Sequence, residues 1–98
     1  MRYQIVLAPG AIRDVKSLRA HDRAQVRDAI ERFLRHEPTR VSRSRIKRLR
    51  GLRQPQFRLR VGETRVFYDV TETTVQILAV VSKDQAQAWL EQGGTTET

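Results

Sequence analysis

A chain of 98 residues has room for one domain with one core, and so for one main site. It has no cysteine, which excludes a disulfide framework or a thiolate metal centre, and no long apolar stretch to serve as signal peptide or membrane span, so a soluble cytoplasmic protein is expected. Its 19 Lys and Arg against 11 Asp and Glu give a formal net charge of +8, the balance of a protein whose partner is a polyanion.

Tyr3 to Leu7 is rich in β-formers and stops at Pro9-Gly10, which reads as a first strand turning into a helix. Ala11, Val15 and Leu18 then recur at helical spacing. Asp22 with Gln25 forms a capping-box start to a second helix, whose stripe of Val26, Ala29, Ile30, Phe33 and Leu34 ends near His36 and is closed by Glu37-Pro38. From Thr39 to Pro55 the chain is polar and Arg-rich, and a basic loop is expected. No acidic residue lies between Glu37 and Glu63, whereas nine basic ones do. A solvated face normally mixes signs. Arg40, Arg43, Arg45, Lys47, Arg48, Arg50 and Arg53 are therefore candidate contacts to RNA or a ribonucleoprotein; the alternative is a basic surface that keeps the chain soluble by self-repulsion.

Phe57, Leu59 and Val61 alternate with Arg58 and Arg60, so the apolar side chains share one sheet face and the two arginines the other. Gly62-Glu63 supplies a tight type II′ turn, the next strand runs from Thr64 to Val70, and the apolar run Val75 to Val81 reads as a central strand covered on both faces. Ser82 with Gln85 opens a last helix through Trp89 and Leu90 that ends at Gly93-Gly94. The order β-α-α-β-β-β-α predicts an α+β single domain over residues 1–92. It has a mostly antiparallel four-stranded twisted sheet, two N-terminal helices on one face and a C-terminal helix, followed by a flexible tail at 93–98.

There is no Gly-rich phosphate loop, no His/Cys cluster and no carboxylate pair at metal or glycosidase spacing, so neither a metal nor another cofactor is expected. His21 and His36 flank a helix, where structural or solvent roles suit them. Tyr68 and Trp89 read as packing residues. The remaining constellation is cationic. Arg58 and Arg60 share a strand face and Arg65 follows the turn, so the three guanidiniums can converge on one phosphate-sized volume and stabilise charge developing on a phosphoryl group. The alternative is a solvated face with salt bridges to Asp69 or Glu63.

The string Lys47-Arg48-Leu49-Arg50-Gly51-Leu52, followed by Phe57-Arg58-Leu59-Arg60-Val61-Gly62-Glu63-Thr64-Arg65-Val66-Phe67-Tyr68, resembles the core of RelE/ParE-type toxins of type II toxin–antitoxin systems. The resemblance extends over nearly the whole chain. In the RelE branch it implies a metal-independent endoribonuclease that cuts mRNA in the ribosomal A site, with phosphate-handling basic residues at Arg58, Arg60 and Arg65, and a cognate acidic antitoxin that neutralises it. RelE-type enzymes place an arginine after the last strand and a tyrosine further on; here Lys83-Asp84 and Trp89-Leu90 stand there. Arginine stays protonated near neutral pH and cannot readily be the base that removes a 2′-hydroxyl proton, which makes Lys83 the candidate for proton transfer. The ParE branch implies a DNA gyrase inhibitor without a nuclease site, and a further alternative is a non-toxic relative that binds RNA or its antitoxin.

Overall fold

The computed structural model describes residues 1–96. Strand β1 (Gln4–Leu7) leads into helices α1 (Pro9–Ser17) and α2 (Ala20–Ala29), and α2 continues into a wider π-helical turn, Ile30–Leu34. Then come β2 (Ile46–Arg48), β3 (Leu52–Gln54), β4 (Phe57–Val61), β5 (Thr64–Val70), β6 (Thr74–Ser82), α3 (Lys83–Gly93) and β7 (Thr95–Thr96). The α+β architecture is the expected one. Its main sheet has five strands in the order β1-β6-β5-β4-β2, one more than expected, with β1 parallel to β6 and the other pairs antiparallel.

The additional strand comes from the Arg-rich segment, which is therefore not all loop. Ile46 is buried and seats β2 against β4, whereas Lys47 and Arg48 are exposed. One apolar residue in three carries no period, so the strand is specified by the free edge of β4 and not by its own pattern. Leu52–Gln54 pairs with Thr95–Thr96 as a separate two-stranded ribbon. The tail expected from Gly93 thus begins at the last residue of α3 and continues into this pairing, while residues 97–98 lie outside the described residues.

Helix α2 also begins earlier than the sequence suggests, at Ala20, with Arg19 at the cap position and no side-chain cap. Asp22 sits inside the first turn, where a carboxylate favours the helix dipole, and pairs with Arg19 at 3.6 Å. The junction is held instead by Arg23, whose guanidinium donates to the carbonyls of Val15, Lys16 and Leu18 and so satisfies the last turn of α1. Ser82 does occupy the N-cap of α3, without the side-chain bond of a capping box.

Alternation along β4 and β5 divides the sheet. Phe57, Leu59, Val66 and Tyr68 face the helical side, where they join Val26, Ile30, Leu34, Val75 and Ile77 in the core. Phe67 faces the other side and stacks on Trp89 of α3, with centroids 5.0 Å apart and planes within 7°. Both neighbouring side chains can be buried because each face has its own cover. Leu78 is an extra residue in β6, since Tyr68 pairs with Ile77 and Phe67 with Ala79. This bulge returns Val80 to the core face.

Tyr68 is fully buried, stacks on Phe57 at 5.5 Å and donates its hydroxyl to the Pro38 carbonyl at 2.7 Å. Burial raises its pKa above the ordinary tyrosine value. The native state therefore holds this proton where the unfolded chain has lost it. The resulting stability is fully present below about pH 10 and declines as pH rises beyond that value. Tyr68→Phe is expected to remove this alkaline component. It should also cost about 1 to 3 kcal/mol at neutral pH, because the Pro38 carbonyl loses its phenolic donor; urea unfolding of both proteins across the alkaline range measures both effects.

Candidate functional site

The face opposite the helical core carries the candidate site. In the β4–β5 ladder Arg60 lies directly opposite Arg65 and Arg58 opposite Phe67, so all four project from the same face. The turn between the strands sets this register. Gly62 has φ +57 and Glu63 after it does not have a positive φ, the pattern of a type II′ turn with glycine first. Pairing of β2 with β4 then puts Lys47 opposite Arg58, adding a fourth cation to the face.

The three arginines are held differently. Arg60 is exposed. Arg65, expected to lie on the strand surface, is only 8% exposed, and its Nη1 donates to the Gly62 carbonyl at 2.8 Å and the Thr64 carbonyl at 3.1 Å. It is part of the turn as well as of the face. Arg58 is half-buried, and its Nε is the one buried side-chain nitrogen or oxygen among the described residues without a hydrogen-bond partner. Its pKa is lowered, first by desolvation and then by the charges of Arg65 and Arg60. The guanidiniums therefore sense one another, and the fold does bring Arg58, Arg60 and Arg65 together.

The salt-bridged alternative is overturned. Asp69 accepts from the Gln54 side chain at 2.6 Å and the Gln56 backbone at 2.8 Å. The ion pairs among the described residues are Arg19–Asp22, Arg35–Glu31 and Arg40–Glu37, all on the helices or their immediate continuation. The cationic face is left without a carboxylate counterion. An incoming phosphate would find donors already oriented and would relieve their mutual repulsion.

Lys83 stands at the first position of α3, exposed, with its backbone N–H donating to the Glu63 carbonyl at 2.7 Å. The backbone of this proton-transfer candidate is thus fastened to the turn that carries Arg65. The remaining candidates disperse. Arg40 pairs with Glu37 at 2.9 Å, Arg45 lies 4.9 Å over the Phe33 ring and Arg48 5.0 Å over the Phe57 ring. Arg43, Arg50 and Arg53 are exposed. Sequence reasoning missed that Lys47 belongs to the arginine face and that Phe33 is flanked by Arg32 as well as Arg45; the buried Ile46 was the one available signal for the first. Trp89 is engaged by Phe67 on one face, as expected of a packing anchor. His21 is exposed and His36 lies 3.1 Å from the Met1 carbonyl, so the second ties down the amino terminus. Among the described residues no three His, Cys, Asp or Glu side chains gather as a metal site, and no helix is long and apolar enough to cross a membrane.

Helices α1 and α2 on one face of a meander, with a cationic hairpin and α3 on the other, define the class of RelE/ParE-type toxins, and solved structures bear this out. The toxin–antitoxin complex RelBE2 from Mycobacterium tuberculosis contains a chain 31% identical, matched over 84% of this chain and 99% of that one with a TM-score of 0.69. The RelB–RelE complex of Methanococcus jannaschii matches at 20% identity over 86% and 96%, with a TM-score of 0.65. The Escherichia coli DinJ–YafQ complex matches at 13% over 89% and 97%, with a TM-score of 0.67. No curated protein sequence matches. The family model for the ParE toxin of the type II toxin–antitoxin system, parDE, matches residues 5–87, and the chain belongs to the RelE/ParE family of toxins.

The different settings of Arg65 and Arg60 have measurable consequences. Arg65→Ala removes two hydrogen bonds and the cover over two turn carbonyls, and is expected to cost about 1 to 2 kcal/mol, or roughly 5 to 10 °C in Tm. Arg60→Ala, on an exposed side chain, should change stability by less than about 0.5 kcal/mol. Thermal melts of the two variants beside the parent check the contrast.

Proposed function

We propose that this toxin is a metal-independent, ribosome-dependent mRNA endoribonuclease, cytoplasmic in location and neutralised by an acidic antitoxin. The observation that carries the reading is the uncompensated set of Arg58, Arg60 and Arg65 on one sheet face, two of them shielded from water. In the reaction the substrate's 2′-hydroxyl gives its proton to water as its oxygen attacks the scissile phosphorus, and the bond from phosphorus to the 5′-oxygen breaks, leaving a cyclic phosphate and a free 5′-hydroxyl. Charge accumulates on the phosphoryl oxygens, where bidentate guanidinium donors stabilise it. Arg65, pinned to the turn, provides a fixed donor; Arg58, desolvated and beside like charges, gains most from an anion. The Lys83 ammonium delivers a proton to the departing 5′-oxygen, a task for which arginine is too weak an acid.

An antitoxin partner is supported by the relatives, whose structures were solved as toxin–antitoxin complexes. Acidic segments that fold on binding suit a basic surface such as Arg40 to Arg53. The ribosome and its mRNA supply the polyanion that the net charge of +8 calls for.

One observation favours the ParE-type reading, inhibition of DNA gyrase without nuclease action. The matching family model is that of ParE toxins, and Lys83-Asp84 and Trp89 replace the arginine and tyrosine expected of RelE-type enzymes. Induction in cells separates the two: ribosome-associated mRNA cleavage supports the nuclease, whereas a DNA-damage response with intact transcripts supports gyrase inhibition. On programmed ribosomes Arg58→Ala is expected to lower the cleavage rate by about a hundred- to a thousandfold while the protein remains folded. Full activity of a folded Arg58→Ala protein would refute the nuclease assignment. Ribosome affinity should also fall steeply between about 50 and 200 mM salt, as counterions released on binding are restored.

A further inference from the structure

A cleft of about 660 Å³ lies between the β2–β3 segment and α3. Lys47, Arg48 and Arg50 line it from the β2–β3 segment, with Leu49 and Leu52, and Gln87 and Glu91 line it from α3, with Leu90. Its two sides differ in charge. The first is cationic; the second presents a carboxylate whose Oε1 accepts from Gln87 Nε2 at 3.3 Å. Lys47 belongs both to this cleft and to the arginine face, because β2 pairs it with Arg58. The cleft therefore continues the proposed phosphate site and is not a separate pocket.

We infer that the cleft binds one unpaired base of the RNA strand whose phosphate sits on the arginine face, and that Glu91 selects guanine there. The inference rests on the RNA-binding reading of that face. A single-stranded nucleotide needs cations for its phosphates, a flat or apolar bed for its base and a hydrogen-bonding group for its Watson–Crick edge. Lys47 supplies the first together with the arginine face it adjoins, and the leucines with the planar Arg50 guanidinium the second. The edge is met by Glu91. A carboxylate only accepts hydrogen bonds, through two oxygens side by side. Guanine alone among the four bases offers two adjacent donors on that edge, N1–H and the N2 amino group. Adenine and cytosine each set a ring-nitrogen acceptor beside their amino group, and uracil has one ring N–H between two carbonyls; each of these would leave a carboxylate oxygen facing an acceptor. Gln87 donates to one carboxylate oxygen, which keeps a second lone pair, so both oxygens remain able to accept. An acidic peptide gains nothing from Glu91, which would repel it.

The test uses the full chain and labelled, 2′-O-methylated pentaribonucleotides, U5 and its variants with a central G, A or C, so that binding is read without cleavage. Fluorescence anisotropy at low salt should show the G oligonucleotide bound about tenfold more tightly than the other three. Glu91→Gln, a change on an exposed helix position, should bring the four within about twofold of one another while binding U5 as well as or better than the parent, since a negative charge has left the cleft. Arg50→Ala should weaken all four alike. Arg60→Ala tests the underlying reading: if it leaves U5 binding unchanged, or if no oligonucleotide binds, the RNA face itself is refuted and the inference with it. If Arg60→Ala weakens U5 but the parent shows no preference for G, or Glu91→Gln retains it, the guanine site alone is refuted. Loss of antitoxin affinity in Glu91→Gln with an unchanged base preference would assign the cleft to the antitoxin and overturn the inference.

Discussion

The register of β4 against β5 is the constraint on which the molecule depends. A strand has two faces and its side chains alternate between them, so one residue of slippage would carry Leu59 and Val66 out of the core and drive guanidiniums into it. The Gly62 turn prevents this, and Arg65 reinforces the turn by bonding the carbonyls on either side of it. The same pairing therefore builds the core and aligns the charges. Neither could be altered without the other.

The charges make the fold a compromise. Half-buried Arg58, flanked by Arg60 and Arg65, carries a desolvation cost that no carboxylate offsets, and one of its nitrogens makes no hydrogen bond. Elsewhere the molecule avoids such costs. Arg23 closes the end of α1, Arg35 pairs with Glu31 and reaches the Tyr3 carbonyl, and Asp14 accepts from the Val80 backbone. Polar groups are satisfied wherever they serve structure and left in want of an anion on one face. That contrast sets the arginine face apart from the rest of the basic surface.

Much of this was legible in the chain. Alternation over residues 57–70 and the continuous apolar run after it define the meander, and the same alternation places Arg58 and Arg60 together. What could not be read depends on distant partners. The strand Ile46–Arg48 takes its place from the open edge of β4, so the presence of Lys47 at the site is a property of the sheet. Burial of Arg65 depends on how its side chain folds over the turn, which no spacing encodes. The start of α2 was misread because Asp22 and Gln25 satisfy a capping pattern that the structure does not use, the junction being held by Arg23 from within the helix. Local signals fail there because the junction is fixed through the carbonyls that end α1, to which Arg23 donates, and not through the N–H groups that a capping box would satisfy.

The place of β6 bears on how the sheet can be assembled. β6 lies between β1 and β5, and its partner Gln4 is paired with Thr74, at the opposite end of the chain in order of synthesis. The ribbon that holds Leu52–Gln54 is completed only by Thr95 and Thr96. A nascent chain can form its helices and the β2, β4 and β5 pairings from residues close in sequence, but β1 waits for Thr74 to Ile77 and Leu52–Gln54 waits for Thr95 and Thr96. The sheet is thus completed in an order set by its topology. The hairpin that bears the arginines can therefore close on itself before β1 finds its place in the sheet.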